Sequence, residues 1–220
     1  MQNRSEPLGR RSLLGWTLAS SVMMGASLAP GGTRPATAQA ADPRQPVAEL
    51  NAALLSTMRL SGASFQQRFD RLAPVIDRVF DLNIILGASV GLRWNTLDEA
   101  SRRALYIIFR AYTVANYASN FDSDSGERFD IQTQPRASGS DQVVLTTLTT
   151  GKGERIELNY VVRAGTGGWK IVDVLLNGSI SQVAVNRSDF RSLLASGDVN
   201  PLIESLRRKV SELSGGAMRL

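Results

Sequence analysis

The chain has 220 residues, 43% of them hydrophobic and 20% charged, a net charge of +5, and neither cysteine nor histidine. Without histidine there is no Ser-His-Asp catalysis and no His-based zinc site, and the commonest general base is missing. Without cysteine there is no disulfide and no thiol for an N-terminal lipid anchor.

Residues 1–40 read as an export signal. Arg4, Arg10 and Arg11 form a positive n-region, residues 13–29 are mostly apolar or small, and Ala38-Gln39-Ala40 is an A-x-A cleavage site. Gly15, Gly25 and the Pro30-Gly31-Gly32 break argue against a lasting transmembrane helix. Arg10-Arg11 before Ser12-Leu13-Leu14 looks like a twin-arginine signal without its usual Phe and Lys, and a Sec signal fits equally well. Either route leads to the periplasm. Cleavage after Ala40 takes 40 residues from 220 and leaves 180, which suits one domain, residues 41–220. It also removes four arginines and one glutamate, so the net charge falls from +5 to +2. A nucleic-acid binder keeps a clustered basic face, and this chain has none, so no nucleic-acid partner is expected.

After a short polar linker, residues 47–60 place Val47, Leu50, Leu54 and Met58 at helical spacing. Ser64 is positioned to cap a second helix whose apolar face is Phe65, Phe69, Leu72, Ile76, Val79 and Phe80. Pro74 inside it predicts a kink or a restart. Residues 81–92 predict a short helix and turn. Thr96-Leu97-Asp98-Glu99 reads as a capping box with Thr96 as the cap. The scaffold helix that follows is predicted to run to residue 119 or 120, with a stripe of Leu97, Ala100, Ala104, Ile107, Ile108, Ala111, Tyr112 and Ala115.

Beyond Glu127 the period changes from 3.6 to 2. Four strands are predicted, at 128–134, 142–150, 155–163 and 169–177. They are joined by turn sequences at 137–140, 151–153 and 164–168. Short loops make this an antiparallel meander. Two helices close the chain, at 183–195 and at 200–213, the second with Pro201 in its first turn. The fold class is therefore α+β: N-terminal helices, a four-stranded curved antiparallel sheet, C-terminal helices, and room for an apolar cavity between sheet and helices.

The stretch 155–181 carries the most specific pattern. Ile156, Leu158, Tyr160 and Val162 alternate with polar residues, a Gly-rich turn leads to Trp169-Lys170-Ile171-Val172-Asp173-Val174, and Gly178-Ser179-Ile180-Ser181 follows. Upstream stand Arg71, Leu72, Pro74, Ile76, Asp77, Phe80 and Asp81, then Leu86-Gly87, Trp94, Phe109 and Tyr117-Ala118. Downstream stand Phe190, Leu194, Gly197-Asp198 and Leu202-Ile203. In this order and spacing the chain resembles the MlaC/toluene-tolerance family of periplasmic lipid-shuttle proteins, which includes a hopanoid-associated, HpnM-like branch.

The resemblance implies a monomeric lipid carrier, not an enzyme, with no cofactor and no metal. It would bind phospholipid or hopanoid tails and shuttle them between inner and outer membranes. Its implied partners are the inner-membrane substrate-binding ring of an ABC transporter and an outer-membrane lipid-handling complex. Each buried CH₂ is worth about 0.8 kcal/mol, so a dozen methylenes supply roughly 10 kcal/mol before ordering costs. The wall is expected from the second helix, the long helix and the inward sheet face. Its residues are Val75, Ile76, Val79, Phe80, Ile108, Tyr112, Val144, Leu158, Tyr160, Val162, Ile171 and Val174. Each of them also fits an ordinary packed core. Which sheet face turns inward stays open, because Val144/Thr146 and Leu145/Thr147 alternate equally well.

Asp173 reads either as a headgroup ligand or as a structural carboxylate, and Trp169 as a core or rim aromatic. Two other readings stand beside the carrier. A cone-shaped α+β enzyme, isomerase- or dehydratase-like, would use Asp173 with Tyr160. A non-lipid periplasmic adaptor would have a solid core.

Overall fold

The structure, a computed structural model, describes residues 42–220. The predicted export signal and its cleavage site lie outside the described residues.

Helix α1 spans Gln45–Met58 and buries Val47, Leu50, Leu54 and Met58. Helix α2, Phe65–Val79, starts at a reciprocal capping box. The Ser64 hydroxyl accepts from the Gln67 N–H at 3.3 Å, and the Gln67 side chain accepts from the Ser64 N–H at 2.8 Å. Pro74 does not restart α2, which continues through it as one helix. Its missing N–H falls on an exposed position, where water can serve the orphaned carbonyl.

The α2 exit is stitched to the sheet. Phe80 bridges Ile171, and the Asp81 N–H donates to the Ile171 carbonyl at 2.9 Å. The Asp81 carboxylate then caps α3, Leu82–Val90, by accepting from the Ile84 N–H at 3.0 Å. A 3-10 turn, Gly91–Thr96, leads to the long helix α4, Glu99–Asn120.

Two expectations about α4 need correction. Its cap is Asp98, whose carboxylate accepts from the Ser101 N–H at 2.7 Å, while the Thr96 hydroxyl turns back to the Arg93 carbonyl at 2.8 Å. A carboxylate suits the positive helix end better than a hydroxyl. The buried face is also rotated from the expected stripe. It consists of Leu105, Ile108, Phe109, Ala111, Val114, Ala115 and Ala118, whereas Ile107 is 60% exposed and Ala100 and Ala104 face solvent. Packing against α2, α3 and the last helix sets this arc.

The sheet comprises β1 Arg128–Ile131, β2 Arg136–Ser138, β3 Asp141–Val144, β4 Thr146–Thr149, β5 Arg155–Gly165, β6 Gly168–Leu176 and β7 Ile180–Ser181. All pairings among these strands are antiparallel. The predicted strand at 142–150 is cut at Leu145 into β3 and β4. There the Asn159 side chain accepts from the Thr146 N–H at 2.9 Å, and the Leu145 carbonyl accepts from Gln132 at 2.9 Å. Both halves still pair with β5, so the meander survives. Half of the predicted turn at 137–140 belongs to strand β2, and Gly139 at φ +60 with Ser140 makes the tight turn into β3. A register shift between Val161 and Val162 bulges β6 at Val172 and bends the sheet.

The inward face is now fixed. Val144 and Thr146 are 0% and 2% exposed, while Leu145 and Thr147 are only partly buried. Val144 lies opposite Tyr160, which lies opposite Val174, so one face of three strands meets the helices. The chain ends with α5, Gln182–Leu193, and α6, Asn200–Leu213. Helix α4 packs on α6 and α2, and α3 packs on α5. Leu50, Leu72, Ile76, Leu86, Leu105, Phe109, Ile171 and Leu202 fill the core between the layers. Among the described residues no helix is long and apolar enough to cross a membrane.

Candidate functional site

The helical and sheet layers part toward the C-terminal half of α4, leaving a cavity of about 610 Å³. That lies within the range of small-molecule sites.

The wall is built from several elements. Helix α4 contributes Phe109, Tyr112, Thr113, Asn116, Tyr117 and Asn120, spaced three and four apart so that they share one side of the helix. Opposite them stand Leu148 on β4 and Thr150 just beyond it, Ile156 and Leu158 on β5, and Val174 and Leu176 on β6. Their register agrees, with Leu148 facing Ile156 and Leu158 facing Leu176. Met58, Phe80, Leu82 and Ile85 close the side nearest the core. A run of rings lies along α4: Phe80 to Tyr117 at 5.7 Å, Tyr117 stacked on Phe121 at 6.0 Å, and Phe121 to Phe129 at 6.0 Å.

Polar groups gather where the wall meets solvent. They are Asn116 and Asn120 of α4, Asp122, Ser123 and Glu127 of the following loop, and Gln182 and Asn186 of α5. The Asn120 amide donates to the Asn116 carbonyl at 2.8 Å, and Glu127 accepts from the Ser125 N–H at 2.6 Å. Among the described residues, no lysine or arginine lines the cavity.

Asp173 also borders this space, but its carboxylate is engaged. It accepts from the Val174 N–H at 2.8 Å, from the Ser181 hydroxyl at 2.5 Å and from the Val183 N–H at 3.1 Å. The Ser181 hydroxyl in turn accepts from the Ala184 N–H and caps α5. Asp173 therefore serves as an internal anion at a helix N-terminus.

Tyr160 lies opposite Val174 in register, and Asp173 opposite Val161, so the two side chains leave opposite faces of the sheet. Burial pushes the Tyr160 phenol well above its ordinary value, with the nearby Tyr117 adding to the shift, and burial raises Tyr117 as well. The acid–base pair that the enzyme reading needs is not assembled. Among the described residues no cluster of three acidic side chains is placed to hold a metal ion.

Of the twelve residues expected on the wall, Phe80, Tyr112, Leu158 and Val174 line the cavity. Ile76, Val79, Ile108, Val144, Tyr160, Val162 and Ile171 sit in the packed core beside it, and Val75 packs against that core while partly exposed. Sequence reasoning missed the carboxamides of α4 and α5. The recurrence of Tyr112, Asn116 and Asn120 four apart was the signal for the first two.

A family model described as MlaC protein matches residues 45–208. No curated protein matches the chain. Among solved structures, the chain is similar to a phospholipid-binding protein from Ralstonia solanacearum, determined in complex with a phospholipid. The TM-score is 0.68 at 21% identity, covering 79% of this chain and 99% of that one.

Proposed function

The chain belongs to the MlaC family, and from that premise we propose that it is a periplasmic lipid carrier. It holds phospholipid or hopanoid tails in the cavity between sheet and helices and shuttles them between inner and outer membranes. Its partners in this reading are an ABC-transporter-linked substrate-binding ring and an outer-membrane lipid-handling complex. The observation that carries the reading is the cavity of about 610 Å³, walled by aliphatic and aromatic side chains and rimmed by polar ones. The phospholipid held by the similarly folded Ralstonia protein supports the same class of ligand.

The chemistry suits carriage. Apolar walls remove methylenes from water at about 0.8 kcal/mol each. Burial raises the Tyr117 phenol on the wall and the Tyr160 phenol in the core beside it, and the Asp173 carboxylate is committed to α5.

A transfer assay tests the proposal. Donor vesicles carrying a self-quenched fluorescent phospholipid are mixed with unlabelled acceptor vesicles, with and without the protein. The expected result is a dequenching rate that rises in proportion to protein concentration. A rate indistinguishable from spontaneous exchange at every concentration contradicts it.

A further inference from the structure

We infer that the mouth of the cavity selects lipids with amine-bearing or uncharged headgroups and disfavours lipids of net negative charge. This rests on the carrier reading above and adds a headgroup class to it.

Three observations converge. First, among the described residues the charged members of the lining are Asp122, Glu127 and Asp173, with no cation. An anionic headgroup would ordinarily be met by an arginine fork or a lysine. Second, the feature best suited to a phosphate, the N-terminus of α5, is already occupied. Val183 and Ala184 give their N–H groups to Asp173 and Ser181, so a second anion there would meet a carboxylate instead of free donors.

Third, two cations near this end of α4 are engaged elsewhere. Arg59 pairs with Asp124 at 3.1 Å, and Arg68 donates to the Ala118 and Ala63 carbonyls at 3.0 and 2.6 Å. Lys209, 5.6 Å from the Tyr112 ring centroid, is not part of the lining. A headgroup leaving the tails' cavity therefore meets the carboxylates of Asp122 and Glu127 and the carboxamides of Asn116, Asn120 and Asn186. An ammonium or hydroxyl group finds acceptors there, and a net anion finds repulsion.

The test loads the purified protein from excess vesicles of equal parts phosphatidylethanolamine and phosphatidylglycerol with matched acyl chains, then measures the extracted lipid by mass spectrometry. The expected result is enrichment of phosphatidylethanolamine by about fivefold, falling toward one at high salt and in the Asp122→Asn/Glu127→Gln variant. Lipid loaded in the vesicle ratio, or enriched in phosphatidylglycerol, overturns this inference and leaves the carrier reading standing. Full enrichment in the double variant overturns the assignment to these carboxylates. Failure to load either lipid overturns both readings.

Discussion

The Ser181 hydroxyl donates to the Asp173 carboxylate at 2.5 Å, and through that contact β6 holds the start of α5. The same carboxylate accepts from the Val183 N–H, and Val183, Gln182 and Asn186 form one side of the cavity mouth. A residue that invites a catalytic reading is thus the pin that positions a wall.

Asp173→Ala leaves the Val183 N–H and the Ser181 hydroxyl short of an acceptor. It is expected to cost about 1–3 kcal/mol in urea unfolding. Asp173→Asn, which keeps an oxygen acceptor, should cost less. An alanine variant as stable as the parent would show that the contact is dispensable.

Tyr160 presents the opposite case. Its side chain is 0% exposed and its hydroxyl has no hydrogen-bond partner among the described residues. Tyr160→Phe removes a desolvated polar atom while keeping the ring, so stability should be unchanged or rise by about 1 kcal/mol. A clear loss in the same unfolding experiment would reveal a partner for that hydroxyl.

Wall and core should separate in a paired experiment. Ile76→Ala empties a fully buried core position and should cost about 2–5 kcal/mol, with bound lipid per folded molecule unchanged. Val174→Trp, on the cavity wall, should lower bound lipid with a much smaller change in Tm. Equal lipid loss in both variants would contradict the division drawn between wall and core.

Much of the fold was legible because its signals are local. Helix α6 runs from Asn200 to Leu213, as the spacing of Leu202, Leu206 and Val210 predicts, and Ser64 caps α2. The misses come from competing local partners or from distant ones. Thr96 and Asp98 can both cap, and the 3-10 turn that takes the Thr96 hydroxyl decides between them. The break at Leu145 depends on Asn159, thirteen residues beyond Thr146 in the chain. The cavity is the hardest feature to read. Ile76 and Phe80 are one helical turn apart and equally apolar, yet only Phe80 reaches the wall. Where two packed layers separate is a property of both layers, and neither strand nor helix records it alone.

The Arg163 guanidinium donates to both oxygens of Asp141, at 2.8 Å each, and holds that carboxyl below its ordinary value of 3.8. A depressed folded-state value contributes stability at neutral pH that is lost as pH falls through it. Asp141→Asn should therefore be less stable than the parent at pH 7, with the gap closing in acid. Because Arg163 is about half exposed, the gap at pH 7 should stay under about 1 kcal/mol. A gap that widens as pH falls would contradict this account.

The central claim is that this cavity carries lipid. Its most direct test is mass spectrometry, native and after solvent extraction, on protein expressed from the full 220-residue chain and purified without detergent. The expected result is lipid in stoichiometric amount, either phospholipid or hopanoid, released on unfolding. A protein that arrives empty and takes up none from vesicles would contradict it.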